Sequence, residues 1–330
     1  MRTMEFRTSD GVRVAVSKDD GSLPVDITEG LAGYGLVGLN QAISHARKGN
    51  VSLLGFLGAL VDESETVADV DMHHGTHTGP GRLDHGLPPI QPPEVWGAGV
   101  TYRRSAEARE AESLTDNNFY SMVYAADRPE IFLKDSAGRR TVGPDGDLGI
   151  RRDSRSSIPE PELGLVLDSS GRVVGFTLGN DVTARDIESE NPLYLPQAKI
   201  FSNSCAIGPC ILLCDTDPDE VPPFPIELSI HSSEGEVLYQ ESTSTTELTR
   251  RYADLVAYLM RDNPIADGTV LLTGTGLVPP PDFALRPGDV VTITSEPIGS
   301  LRNTVSDFAR APRDLQAATQ SSHVGVENLG

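Results

Sequence analysis

The stretch from Pro159 to Lys199 limits what this chain can fold into more than any other. It opens on Pro159-Glu160-Pro161-Glu162 and runs into the apolar Leu163-Gly164-Leu165-Val166-Leu167. It then turns at Ser169-Ser170-Gly171 and continues as a second apolar run from Val173 to Leu178. Two short runs of this kind separated by a turn predict two paired strands. On an extended chain, residues two apart share a face, which sets the Glu160 and Glu162 carboxylates side by side. Asp181, in Gly179-Asn180-Asp181-Val182, leaves the end of the neighbouring strand and can add a third. Carboxylates that close repel unless a cation lies between them or one stays protonated. Three of them converging from strand ends make an all-oxygen site for a hard divalent cation, Mg²⁺ or Mn²⁺ before Zn²⁺. The same spacing also fits a solvated glutamate pair with Asp181 capping a helix, and the residues alone leave both open.

Charge narrows the partners. Against 48 acidic residues stand 27 basic ones, a formal net charge of −21, and so acidic a chain is repelled by nucleic acid and by anionic membrane surfaces. The lysines are Lys18, Lys48, Lys134 and Lys199; that scarcity singles out Lys199, which stands in a stretch poor in charge. Three cysteines, Cys205, Cys210 and Cys214, lie in an apolar segment without C-x-x-C spacing. They read as small buried hydrophobes in a reducing compartment. With no basic-then-apolar leader and no run of membrane-spanning length, a cytoplasmic protein is expected.

In chain order, residues 1–27 carry three short apolar segments divided by Asp10-Gly11 and Asp20-Gly21, which predicts a small β-meander. Helical spacing follows from Gly38 to Leu60. His73, His74, His77 and His85 share a Gly-rich stretch leading into Leu87-Pro88-Pro89; without helix or strand periodicity to fix ligands it reads as a linker loop. A strand is expected over Val95–Tyr102, then a short polar helix from Ala106 to Ser113 capped by Ser105. Lys134 ends an apolar run, where a surface lysine at a strand end is one reading. Thr246–Met260 has helical spacing. Thr275, flanked by glycines after a strand, either binds a carboxylate through its hydroxyl and nearby N–H groups or forms a hairpin-like turn. Residues 311–330 are polar and patternless.

Several motifs stand in one order: Pro-Glu-Pro-Glu-Leu-Gly-Leu-Val-Leu from Pro159, Gly-Phe-Thr-Leu-Gly-Asn-Asp-Val-Thr-Ala-Arg-Asp from Gly175, Leu-Pro-Gln-Ala-Lys ending at Lys199, Thr273-Gly274-Thr275, Gly288-Asp289-Val290-Val291, and Glu296-Pro297-Ile298-Gly299-Ser300-Leu301-Arg302-Asn303. Together, from about Val95 to Val305, they resemble the fumarylacetoacetate hydrolase superfamily. Trp96-Gly97-Ala98-Gly99-Val100-Thr101-Tyr102 and Asn191-Pro192-Leu193-Tyr194-Leu195-Pro196-Gln197 look like the branch that holds 2-keto-3-deoxy-arabinonate dehydratase.

The resemblance implies an α+β, predominantly β fold: the family's mixed β-sandwich roll, paired into a homodimer, with a small N-terminal α/β domain. The corresponding division is 1–90 for the N-terminal domain and linker, 91–310 for a metal-dependent catalytic domain and 311–330 for a loose tail. It makes Glu160, Glu162 and Asp181 the metal ligands, Lys199 the electrostatic partner of a developing enolate, and Arg185 a residue that fixes the ligand carboxylates or the substrate. Tyr102, Lys134 and Thr275 join them as substrate-binding candidates. Relatives of the hydrolase type carry a His–Glu pair on a lid near residue 105. This chain has no histidine between His85 and His231, so a lid glutamate, Glu112 or otherwise Glu110, is expected to move the proton. Where many hydrolases have Gln, this chain has Glu188.

The expected reaction is therefore dehydration of a 2-keto-3-deoxy sugar acid through a metal-stabilised enolate. Hydrolysis of an acylpyruvate, or a related 2-oxo acid isomerisation, is the alternative. A non-catalytic Ca²⁺-binding β-domain is the reading from a different class, and it lacks the continuous ligand loop that Ca²⁺ sites favour.

Overall fold

The structure is a computed structural model that describes residues 1–18, 22–79, 86–112 and 119–307. The two apolar runs of the Pro159–Lys199 stretch form antiparallel strands, Pro161–Leu167 and Val173–Asp181, every residue of which is buried. They sit at the centre of a ten-stranded sheet ordered Val25–Asp26, Gly11–Ser17, Arg2–Thr8, Cys205–Leu213, Val173–Asp181, Pro161–Leu167, Thr269–Leu272, Glu94–Gly99 and Glu130–Ser136, with Thr141–Val142 added beside Cys205–Leu213.

Burial on both faces explains why these strands read as continuous apolar runs. Leu163, Leu165, Leu167, Phe176, Leu178, Ala206, Cys210 and Leu271 point to one face, where a five-stranded antiparallel-rich sheet supplies Ile226, Leu228, Ile230, Val291, Ile293 and Leu301. Val166, Val174, Ile207, Ile211, Val270 and Leu272 point to the other, under the helices Gly38–Lys48 and Leu53–Glu63. The result is helices on a sheet on a second sheet, the α+β, predominantly β architecture expected. The three cysteines are free and buried, as small apolar residues in these layers.

The N-terminal segment continues the large sheet: Arg2–Thr8 pairs with Cys205–Leu213 through Arg2↔Leu212 and Thr3↔Ile211. Four local expectations change. The helical stretch from Gly38 to Leu60 is two helices, broken at Gly49-Asn50, where Asn50 takes a positive φ of 53°. The histidine stretch is not a plain loop. Val70–Asp71 pairs with Thr76–His77, His74 Nδ1 bonds Asp71 at 2.7 Å, and His73 O accepts from Ser300 N at 2.7 Å; His85 lies outside the described residues. The helix expected from Ala106 starts at Arg103, so Ser105 lies within it rather than capping it. The helix expected over Thr246–Met260 runs over Tyr252–Leu259, after a short 3₁₀ turn at Thr245–Glu247. The 311–330 tail lies outside the described residues, and among those described no helix is long and apolar enough to cross a membrane.

Phe176 carries the large sheet into the core it shares with the second, with ring centroids 5.0 Å from Phe224, just before the strand Pro225–His231, and 6.1 Å from Tyr252 of the helix Tyr252–Leu259. Replacing it by alanine should cost about 3–5 kcal/mol, seen as a lowered urea midpoint with an unchanged slope. A loss under about 1 kcal/mol would mean that the sheets are not packed through this ring.

Candidate active site

Strand register places the three carboxylates. Glu162 pairs with Gly179, and Asp181 N donates to Glu160 O at 3.0 Å, so Glu160, Glu162 and Asp181 project from the same face at the end of the central strands. Pro161 has no N–H to hold the chain there; Asn180 Oδ1 does so instead, accepting from Glu160 N at 3.1 Å. One oxygen from each carboxylate lies within 4.8 Å of the others, and all three residues are buried. The glutamate pair is therefore not solvated, and Asp181 is not a helix cap.

Cations answer this buried charge unequally. Lys199, with no exposed side-chain surface, donates from Nζ to Glu160 Oε2 at 2.6 Å, Asp181 Oδ2 at 2.8 Å and Thr183 Oγ1 at 2.7 Å. Lys134 is not a surface lysine. It is equally buried, pairs with Asp181 Oδ1, and donates to Val182 O at 2.9 Å and Lys199 O at 2.6 Å. Two of the chain's four lysines thus serve one site. Glu162 receives no such cation: among the described residues no ion pair reaches it, and its carboxylate accepts from Gly274 N at 2.6 Å. Gly274 has φ +93°, and a Cβ there would lie 2.0 Å from Thr101 Oγ1, so this N–H can approach only from a glycine.

The electrostatics follow. Burial pushes the Glu160 carboxyl up, but the Lys199 ammonium and then the Arg109 guanidinium outweigh it and hold it at about 2. Burial and the neighbouring Asp181 and Glu160 charges push Glu162 well above the usual carboxylate range. Burial works against the Lys199 ammonium, yet Asp181 and Glu160 raise its pKa, so it stays a cation.

A tight cleft over the carboxylates is lined also by Gly99, Val100, Phe132 and Thr275 and by Ser105 and Arg109 of the helix Arg103–Glu112. That helix carries Arg109 into the site, where its guanidinium lies 3.4 Å from Glu160, 3.2 Å from Glu188 and 3.5 Å from Glu130. Burial pushes the Glu130 carboxyl up, against the pull of Arg109. Gly99 makes room for it: a Cβ there would lie 2.0 Å from Glu130 Oε2.

The other candidates are placed as follows. Thr275 lines the pocket, but its hydroxyl is engaged locally, accepting from Leu277 N at 3.1 Å. Tyr102 is buried with no hydrogen-bond partner for its hydroxyl among the described residues, and burial raises its pKa. Arg185 is buried at the start of the helix Arg185–Glu190, and its charge lowers the Glu160 pKa. Asp186 accepts from Ser154 Oγ, and Glu188 pairs with Arg109. Glu110 does not line the pocket; its carboxylate accepts from Ser121 N at 2.8 Å in an exposed setting. The side chain of Glu112 lies outside the described residues. Sequence reasoning missed Arg109, Glu130 and Thr183. The signal for Arg109 was available: Ser105 and Ala106 stand four and three residues before it, and all three are buried on one face of a helix otherwise rich in Arg and Glu.

The donor set suits a hard dication: three buried carboxylates, one of them without a cation of its own, and no thiolate or imidazole among them. Glu160, Glu162 and Asp181 would hold it.

Residues 94–306 match the fumarylacetoacetate (FAA) hydrolase C-terminal family, and the chain belongs to that family. Within it the chain is 47% identical over 223 residues, 67% of its length and 75% of the relative's, to a probable 2-keto-3-deoxyxylonate dehydratase of Haloferax volcanii. It is 43% identical over 217 residues, 64% of its length and 72% of the relative's, to 2-dehydro-3-deoxy-D-arabinonate dehydratase of Saccharolobus solfataricus. Among solved structures it superposes on 2-keto-3-deoxy-D-arabinonate dehydratase complexed with magnesium and 2,5-dioxopentanoate. That match has a TM-score of 0.75 and 33% identity, covering 93% of this chain and 99% of the other.

Because the Glu162 carboxyl is raised, a dication must displace its proton. Calorimetric titration with Mg²⁺ should show binding that tightens as pH rises toward the Glu162 pKa, with about one proton released per ion. Affinity flat from pH 5 to pH 9 would contradict the protonation of Glu162.

Proposed function

We propose that this chain is a magnesium-dependent hydro-lyase that dehydrates a 2-keto-3-deoxy sugar acid to a 2,5-dioxo acid. The observation that carries the reading is the likeness, over 93% of the chain, to a dehydratase holding magnesium and 2,5-dioxopentanoate. Here that fold retains a buried oxygen triad with a lysine beside it. Mg²⁺ held by Glu160, Glu162 and Asp181 supplies Lewis acidity toward the substrate's C2 carbonyl and carboxylate; Mn²⁺ can serve in its place, and the oxygen ligands also admit Ca²⁺.

The chain's own groups do the rest. Lys199, fixed by Glu160, Asp181 and Thr183, offers an ammonium to the negative charge that develops on the C2 oxygen. A carboxylate takes a C3 proton and the C4 hydroxyl departs as water. Tautomerisation then leaves an aldehyde at C5. Glu130, buried and raised, is suited to move these protons. Glu112, at the end of the covering helix, remains the lid candidate, and the placement of Glu110 favours it less. Arg185 supports Glu160 by charge, and Tyr102 offers an unused hydroxyl toward substrate. Lys134 acts by holding Asp181 and the Lys199 backbone. With no histidine between His85 and His231 to activate water from the lid, the C–C hydrolysis an acylpyruvate would need is disfavoured. We place the enzyme in the cytoplasm as a homodimer, with residues 91–310 as its catalytic unit and 1–90 packed beside it.

Incubation with 2-keto-3-deoxy-arabinonate and 2-keto-3-deoxy-xylonate in Mg²⁺ should give a product of the mass of 2,5-dioxopentanoate, without pyruvate. Activity should vanish with chelator and return with Mg²⁺. Pyruvate release from a 2,4-diketo acid, with no dehydration, would overturn the reading. Lys199→Met should lower kcat by roughly 10²–10³-fold, measured by steady-state kinetics; a loss under about tenfold would remove Lys199 from the chemistry.

A further inference from the structure

Arg109 is the one side chain of the helix Arg103–Glu112 whose charged group is described as reaching deep into the site. It is 5% exposed, and its three carboxylate partners come from three separate places. Glu130 lies on the strand Glu130–Ser136, Glu160 just before the central strand, and Glu188 on the helix Arg185–Glu190. None of the contacts is shorter than 3.2 Å, and among the described residues Nε and Nη1 have no hydrogen-bond partner. On its other side the guanidinium lies 5.8 Å from the ring of Tyr120, a buried residue of the next helix, Phe119–Ala125. A buried arginine sharing loose contacts among three carboxylates can exchange one partner for another at little cost, unlike one locked in a single forked pair.

The outer attachments of this covering unit are of another kind. Arg104 pairs with Glu241 at the surface, Thr249 N donates to Thr101 O at 3.0 Å, and Arg250 donates to Val123 O at 2.9 Å and Ala126 O at 2.8 Å. They hold the two ends of the cover, whereas Arg109 holds its middle.

We propose that Arg109 is a positioning residue that latches the two covering helices over the pocket, and that it competes with the metal for the charge of Glu160. This rests on the assignment of Glu160, Glu162 and Asp181 as the metal site. Without a dication, the guanidinium holds the cover by neutralising Glu160 and Glu188. A dication bound to Glu160 takes over part of that task and leaves the guanidinium, with its spare donors, to Glu130, Glu188 and an anionic substrate. Metal occupancy and the hold on the cover are thus linked through one carboxylate, and by linkage each must weaken or strengthen the other.

The test uses the full chain and no substrate, so it stands or falls apart from the dehydratase reading. Arg109→Met removes a positive charge beside a ligand. It should therefore tighten Mg²⁺ binding by roughly tenfold in calorimetric titration and speed backbone amide exchange across Arg103–Glu112 by about tenfold or more. Arg109→Lys keeps the charge but cannot span three carboxylates. Its Mg²⁺ affinity should stay within about twofold of the native chain while the same amides exchange faster. Arg104→Ala, which cuts the exposed pair with Glu241 at one end of the cover, should leave Mg²⁺ affinity unchanged. A merely structural role would not tighten metal binding. Metal affinity unchanged or weakened in R109M, or native-like exchange over the helix in both Arg109 variants, would overturn the proposal. Should R109M fail to fold, faster exchange in R109K at near-native affinity supports it, and native-like exchange in R109K refutes it.

Discussion

The Lys199 ammonium, held between Glu160 and Asp181, is the interaction on which the rest of this structure depends. Packing carboxylates together away from water is costly unless their charge is met at close range. Here it is met on two by lysines and an arginine, while burial beside Asp181 and Glu160 pushes the carboxyl pKa of the third, Glu162, up. The need for close cations dictates local form. The chain after Asp181 turns back through Thr183 and two short helices so that Lys199 returns beneath the strand ends it left. Lys134 arrives from the sheet's far edge and bonds the Lys199 carbonyl, fixing the segment that carries its fellow cation.

This arrangement makes two of the three carboxylates rigid. Glu160 and Asp181 have fixed partners, so their oxygens are held in place before any ligand arrives. Glu162 accepts from a backbone N–H and, among the described residues, pairs with no cation, so burial and the Asp181 and Glu160 charges push its carboxyl up. The two packed faces of the central sheet provide the rigidity. The same strands that end in carboxylates carry Leu163, Leu165 and Phe176 into one core and Val166 and Val174 into the other. A one-residue slip between them would move the acids to the opposite face, so core packing and site geometry are specified together.

Much of this was legible in the sequence, for identifiable reasons. The acid triad could be read because strand periodicity and a hairpin turn both work over a short range, and the ordered motifs named the family. Lys199 stood out because lysine is scarce. Arg109 did not, since Arg103–Glu112 has the composition of a solvated helix, and its burial comes from Glu130, Glu160 and Glu188, none of them near it in sequence. Lys134 was singled out by the resemblance and not by its own setting, since a lysine ending an apolar run also looks like a snorkelling surface residue until Asp181 is set beside it. The strand Cys205–Leu213 was not legible as one strand, because Gly208-Pro209 in its middle reads as a breaker. The histidine hairpin shows the opposite case, a segment without periodicity that is shaped by its neighbours at Ser300 and Asp71.

The central claim is that Glu160, Glu162 and Asp181 meet around one dication. The most direct measurement is anomalous diffraction from crystals of the chain loaded with Mn²⁺. The account predicts one strong peak about 2.1 Å from a carboxylate oxygen of each of the three residues. A peak elsewhere, or none between these carboxylates at saturating Mn²⁺, would contradict it.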